Sequence, residues 1–93
     1  MPIDLSRLKV TRQPQDAAES EALVRCLQDK TSFLAENLLG EKRKLTVCQS
    51  GAGYYLGCAD EEGPVARDSG YYPTSKAAQT ALDNYSWEQR LDA

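Results

Sequence analysis

Few residues in this chain could do chemistry: three cysteines, a run of adjacent carboxylates, a glycine-rich turn and two tyrosine pairs. Cys26, Cys48 and Cys58 are the only thiols, and the chain has no histidine. Histidine is the usual general base and a very common ligand, so its absence removes serine- and cysteine-type triads and most zinc sites together. The three thiols lie far apart in sequence without a C-x-x-C pair. Free thiols are the expected state, with Cys26 and Cys58 as small apolar core residues and Cys48 more open to solvent. No metal, no cofactor and no catalytic residue is expected. Ser50-Gly51-Ala52-Gly53 has the glycines of a phosphate loop but leads into a strand rather than a helix, so it reads as a hairpin turn.

Asp60-Glu61-Glu62 sits at a predicted loop tip. Three adjacent carboxylates there are either a solvated turn or an electrostatic contact for Arg and Lys on a partner. Glycoside hydrolysis needs separated acids across a cleft, which a tight turn does not offer. Tyr54-Tyr55 and Tyr71-Tyr72 fall in predicted strands. Alternation sends the members of each pair to opposite faces, so one of each fills the core and the other stands on the outer face or its edge. Outer tyrosines are either solvated aromatics or binding residues, because tyrosine offers large contact area at small entropic cost. Asp60, Glu61, Glu62 and Asp68, with only Arg67 to offset them, argue against stacking of RNA bases on this surface. The candidate partner-binding set is therefore Tyr54, Tyr55, Asp60, Glu61, Glu62, Asp68, Tyr71 and Tyr72.

Four segments must position these residues. From Ile3 to Gln13, Leu8 and Val10 alternate with Arg7, Lys9 and Thr11, which predicts a short edge strand. From Pro14 to Leu39, Ala22, Leu23, Cys26, Leu27, Phe33, Leu34 and Leu38 recur at helical spacing, ahead of a stop at Gly40. Thr31 and Ser32 interrupt that stripe and could cap a second helix, so one long helix and two shorter ones both remain open. Arg43 to Tyr72 predicts an antiparallel meander with turns at 50–53 and 60–64, and with Ser69-Gly70 as a bulge. Ser75 to Tyr85 predicts a helix capped by Thr74 or Ser75, with Ala77, Ala78, Ala81, Leu82 and Tyr85 on one face. Trp87 and Leu91 could fold back over the core edge.

The fold expected is α+β: a three- or four-stranded antiparallel meander with a long N-terminal helix and a short C-terminal helix on one face. At 93 residues, one domain spanning 1–93 is expected. The chain carries 14 acidic against 11 basic residues, a net charge of −3. That balance disfavours a dedicated nucleic-acid binder and mildly favours a partner with a basic protein surface. No apolar run is long enough to span a bilayer, and Met1 to Arg12 lacks the apolar centre of a secretory signal, so a cytoplasmic location is expected.

The stretch Gly53-Tyr54-Tyr55-Leu56-Gly57, the acidic turn through Gly63-Pro64-Val65, then Ser69-Gly70-Tyr71-Tyr72-Pro73-Thr74 and the alanine-rich helix make a pattern. Together with Trp87-Glu88-Gln89-Arg90 it resembles small proteins of bacterial phages and integrative mobile elements. The resemblance covers roughly the C-terminal half and rests on turns, caps and core aromatics, so it transfers no catalytic residue. It implies a mobile-element accessory or anti-defence inhibitor, anti-CRISPR-like, acting by protein–protein contact without enzymatic activity. The alternative is a nucleic-acid-binding accessory module using Arg7, Lys9, Arg12 and Lys42-Arg43-Lys44. Self-association into a homodimer through the exposed sheet face is a further expectation.

Overall fold

The structure is a computed structural model and describes residues 9–92. Along the chain the elements are β1 (Lys9–Val10), α1 (Ala17–Asp29), α2 (Phe33–Leu39), β2 (Thr46–Ser50), β3 (Gly53–Asp60), β4 (Gly63–Arg67), α3 (Ser75–Asp83) and β5 (Glu88–Gln89). None of the described helices is long and apolar enough to cross a membrane.

The Pro14 to Leu39 stripe forms two helices rather than one. Asp16 caps the first, its Oδ1 accepting the Glu19 N–H at 2.8 Å. Lys30 then takes a left-handed conformation (φ 53°), which ends α1. Ser32 starts α2, its hydroxyl accepting the Ala35 N–H at 3.0 Å. The break is held from outside: the Ser32 N–H donates to the Arg43 carbonyl, and the Leu45 N–H to the Lys30 carbonyl, each at 2.8 Å. Splitting the helix turns most of the stripe inward. Leu23, Cys26, Leu27, Phe33 and Leu34 are buried, but Leu38 at the last turn of α2 stands out in solvent.

β2, β3 and β4 form a three-stranded antiparallel sheet in chain order. A bulge between Cys58 and Ala59 shifts the β3–β4 register. Beyond β4 the chain leaves the ladder at Asp68 and Ser69, and both of their N–H groups donate to the Leu56 carbonyl. It rejoins only as a single bridge, Tyr54 to Tyr72, so the meander has three strands and no full fourth one. The Ser69 hydroxyl fills the gap by accepting the Leu56 N–H at 2.9 Å. The predicted N-terminal edge strand does not join this sheet. Lys9 and Val10 instead pair in parallel with Glu88 and Gln89, because the C-terminal tail folds back beside them. Ile3, Leu5, Arg7 and Leu8 lie outside the described residues.

Val47, Tyr54, Leu56 and Ala66 on the sheet, with Leu45 just ahead of β2, meet Leu23, Leu27, Phe33 and Leu34 from the first two helices, and Ala78, Ala81 and Leu82 from α3, in one core. The helices thus cover one face of the sheet, and the alanines of α3 let it lie close to β2 and β3. Trp87 and Leu91 close the core edge. Tyr85 does not share the buried face of α3. The helix stops at Asp83, and Tyr85, at φ 54°, turns its ring outward to stack on Trp87 at 6.1 Å.

Gly57 sits where no side chain fits. A Cβ there would run into the Ala66 carbonyl oxygen and would stand 3.0 Å from Cε2 of Tyr55. The obstacle is backbone across the ladder, so it cannot swing away. Gly57→Ala is expected to lower unfolding free energy by about 2 kcal/mol or more, read as an earlier urea midpoint.

Arg12 clamps three segments. Its guanidinium donates to both carboxylate oxygens of Glu19 (2.7 and 3.0 Å) and to both of Asp92 (2.8 and 3.2 Å). Those bonds, with the Gln15 N–H, hold the Glu19 pKa down to about 2 from an ordinary 4.5. A carboxylate with a depressed folded pKa adds stability above its ordinary value and loses it as pH falls toward the folded value. Glu19→Gln should therefore flatten the dependence of thermal stability on pH between 4.5 and about 2.

Candidate partner-binding surface

Strand alternation does separate the tyrosine pairs. Tyr54 and Tyr72 lie against the helix-side core, half-buried. Tyr55, whose cross-strand partner is Cys48, and Tyr71 take the other face. Their rings meet edge to face, centroids 5.9 Å apart at 86°. Because Gly57 has no side chain, the Tyr55 ring lies along its own strand and is only 3% exposed. Burial pushes its pKa up. Tyr55 is therefore not an outer residue; it lies beneath Tyr71.

Tyr71 is the exposed member of the pair, at 46%. The Arg67 guanidinium lies 4.4 Å from its ring centroid and donates to the Ser69 carbonyl at 2.7 Å. Arg67 appeared in the sequence only as a charge offsetting its neighbours. Its role as a support for Tyr71 follows from the alternation that puts it beside Gly57, its register partner. Asp60, Glu61 and Glu62 are exposed at the β3–β4 turn, as a loop tip requires. The Asp60 side chain accepts the Glu62 N–H at 2.9 Å, and its other oxygen faces Arg43 at 3.8 Å. This turn and Tyr71 lie toward opposite ends of β3, roughly 17 Å apart by strand rise from Tyr55 to Asp60.

Asp68 is the main departure from the sequence reading. It is not a surface charge: its exposure is 0%. Its carboxylate accepts the Ser32 hydroxyl at 2.6 Å, the Leu34 N–H at 3.3 Å and Nε2 of Gln89 at 2.9 Å. Gln89 in turn accepts the Trp87 indole N–H at 2.9 Å. Burial raises the Asp68 pKa, and the hydrogen bonds from Ser32, Gln89 and Leu34 oppose that rise. All the partners are donors, which suits the ionised form, and the carboxylate lies at the N-terminus of α2 where the helix dipole favours negative charge.

The cysteines are free and dispersed. The Cys26 thiol donates to Glu36 at 3.1 Å, and burial together with that carboxylate pushes its pKa up to about 11. Burial raises Cys58 as well. Raised values keep both as thiols, the less nucleophilic form. Among the described residues no three Cys, Asp or Glu side chains cluster so as to hold a metal ion.

The surface also exposes Leu38, which helical spacing placed on the apolar stripe, and its neighbour Leu39. Leu38 and Leu39 are 59% and 55% exposed beside a groove of about 200 Å³ between α2 and β4. The signal in the sequence was their position directly before Gly40. A helix stopping there leaves its last turn without a following element to cover it.

Comparison with family models, curated proteins and solved structures finds no match to this chain.

Asp68→Ala would leave the Ser32 hydroxyl, the Leu34 N–H and the Gln89 amide without their acceptor in a dry site. The expected loss is about 3 kcal/mol or more of unfolding free energy. Asp68→Asn is also destabilising, since it brings an NH2 to a point where donors already converge. Urea denaturation followed by tryptophan fluorescence reads both, because Trp87 is at the end of the same network.

Proposed function

We propose that this chain is a non-enzymatic binding protein whose contact face runs from Tyr71 to the acidic turn at Asp60, Glu61 and Glu62. Its partner is a protein with a basic surface. The single observation that carries this reading is that Tyr71 is exposed and yet held, by an edge contact from Tyr55 and by the guanidinium of Arg67. A large aromatic already fixed in place loses little freedom on binding, which is the property of an interface anchor. The acidic turn supplies attraction and steering toward Arg and Lys on the partner. A separation of roughly 17 Å fits within one standard protein–protein patch.

The biological class that fits such a face is a mobile-element accessory protein or anti-defence inhibitor of the anti-CRISPR kind. It would occupy a basic nucleic-acid-binding surface on a host complex. The lack of histidine and the raised cysteine pKa values favour binding over catalysis. The rival reading, a nucleic-acid-binding module, has weaker support. Arg12 is engaged by Glu19 and Asp92, and Arg43 by Glu41 and Asp60, so two of its proposed cations are already neutralised.

Purified RNA-guided nuclease complexes provide the test, with binding measured for the wild-type chain, Tyr71→Ala, and a triple variant with Asp60, Glu61 and Glu62 changed to Lys. Tyr71→Ala is expected to weaken binding by about 30-fold through faster dissociation. The triple variant is expected to slow association and to remove its salt dependence. Equal binding by all three would rule this face out.

A further inference from the structure

The three-stranded sheet has two edges, and they are finished differently. On β4, Pro64 has no N–H, and the bulge at Cys58 and Ala59 breaks the ladder behind it. The Arg67 carbonyl there already accepts the Arg90 guanidinium at 3.0 Å. β2 carries none of these guards: Thr46-Val47-Cys48-Gln49-Ser50 includes no charge and no proline.

Which backbone groups stand open on β2 follows from strand alternation. The N–H and carbonyl of Tyr54 both bond Tyr72, and the Leu56 carbonyl accepts from Asp68 and Ser69, so these two residues face away from β2. Gly53, Tyr55 and Gly57 therefore face it, opposite Ser50, Cys48 and Thr46. Val47 and Gln49 are left pointing their N–H and C=O groups outward. Leu45 has the same parity and shows the same direction, since its N–H leaves the sheet for the Lys30 carbonyl at 2.8 Å. Among the described residues nothing bonds the outward groups of Val47 and Gln49. The open stretch is short, roughly 14 Å from Thr46 to Ser50 by strand rise. Lys30 closes one end of it.

Two donors and two acceptors at alternate residues are matched by an extended backbone. A second copy of the chain is a poor match. Antiparallel self-pairing that joins Val47 to Gln49 of the copy sets Ser50 against Thr46 of the copy. That is one position from Leu45, where the copy's own Lys30 already sits. A foreign strand that enters past the β2–β3 turn and leaves the sheet before Lys30 avoids the collision. We infer that β2 accepts such a strand from a partner protein, antiparallel, through about four backbone hydrogen bonds at Val47 and Gln49. Val47 packs against the core on the helix side, so the incoming strand carries an apolar side chain beside it. The inference rests on backbone groups of β2 and not on Tyr71 or the acidic turn, so it goes beyond the function proposed above and stands or falls separately.

The probe is a cyclic β-hairpin peptide whose free edge reads Thr-Val-Thr-Val-Thr. A second peptide differs only by N-methyl groups on the amides of that free edge. Each is titrated into isotope-labelled protein and followed by NMR. The first peptide is expected to shift the Val47 and Gln49 amide signals saturably. N-methylation should weaken binding at least about tenfold, because it removes donors and blocks approach while every side chain stays the same. Gln49→Pro deletes one outward N–H without touching the ladder to β3, and should weaken the unmethylated peptide by about fivefold or more with the remaining spectrum in place. The inference is overturned if the first peptide gives no saturable shift or if the methylated peptide binds equally well to the wild-type chain. It is also overturned if the Val47 and Gln49 amides of the free protein are as protected from hydrogen exchange as that of Cys48, or if sedimentation shows a dimer that Gln49→Pro abolishes. In either case this chain itself occupies the edge.

Discussion

The carboxylate of Asp68 has no contact with water, and two distant parts of the chain meet on it. Ser32 and Leu34 bring the start of α2, Gln89 brings the C-terminal segment, and the Trp87 indole is tied in through Gln89. The backbone of the same residue completes the junction, since its N–H reaches Leu56 in β3 and its carbonyl accepts the Arg90 N–H at 2.7 Å. A buried charge is expensive to desolvate, and it is tolerated only when its oxygens are satisfied. That requirement couples elements which hydrophobic burial alone would let slide: α2 must begin at Ser32, and the tail must return to place Gln89. No buried side-chain polar atom among the described residues is left without a partner, so the network is closed.

A second constraint shapes the outer face. Gly57 clears the space into which Tyr55 lies flat, Tyr55 supports Tyr71 from beneath, and Arg67 holds it from the side. An aromatic laid over a glycine in a sheet restores the packing that the missing side chain forgoes. The result is that a face without helices still has a rigid feature on it. Fold and surface are thus linked through one glycine.

The charged side chains divide by what they already touch. Arg12, Arg25 and Arg43 are occupied within the molecule. The carboxylates of Glu61 and Glu62 stay exposed at one end of the sheet, and the Arg67 guanidinium lies against the Tyr71 ring toward the other. A net charge of −3 is therefore a poor description of either patch. Local arrangement, not total charge, decides which partner each can attract.

Much of the local structure was legible in the residue order because short-range physics sets it. Ser32 and Thr74 cap helices with their own side chains, each one of the two neighbouring hydroxyl residues that the sequence offered for the cap. Period-two alternation placed Leu56 inward and separated the members of each tyrosine pair, and Gly51-Ala52 makes the hairpin turn between β2 and β3. Tertiary structure decided the rest, because it depends on what arrives from far along the chain. Asp68 reads as one more surface acid until Ser32 and Gln89, distant in sequence, converge on it. Alternation sends Tyr54 and Tyr55 to opposite faces, and the space over Gly57 with the approach of Tyr71 leaves the outer one buried. Likewise Leu38 belongs to an apolar helical stripe by its spacing, yet α2 ends where no element of the fold covers it. A sequence specifies which way a side chain points from its own backbone; whether it meets protein or water there is fixed only when the other segments have packed.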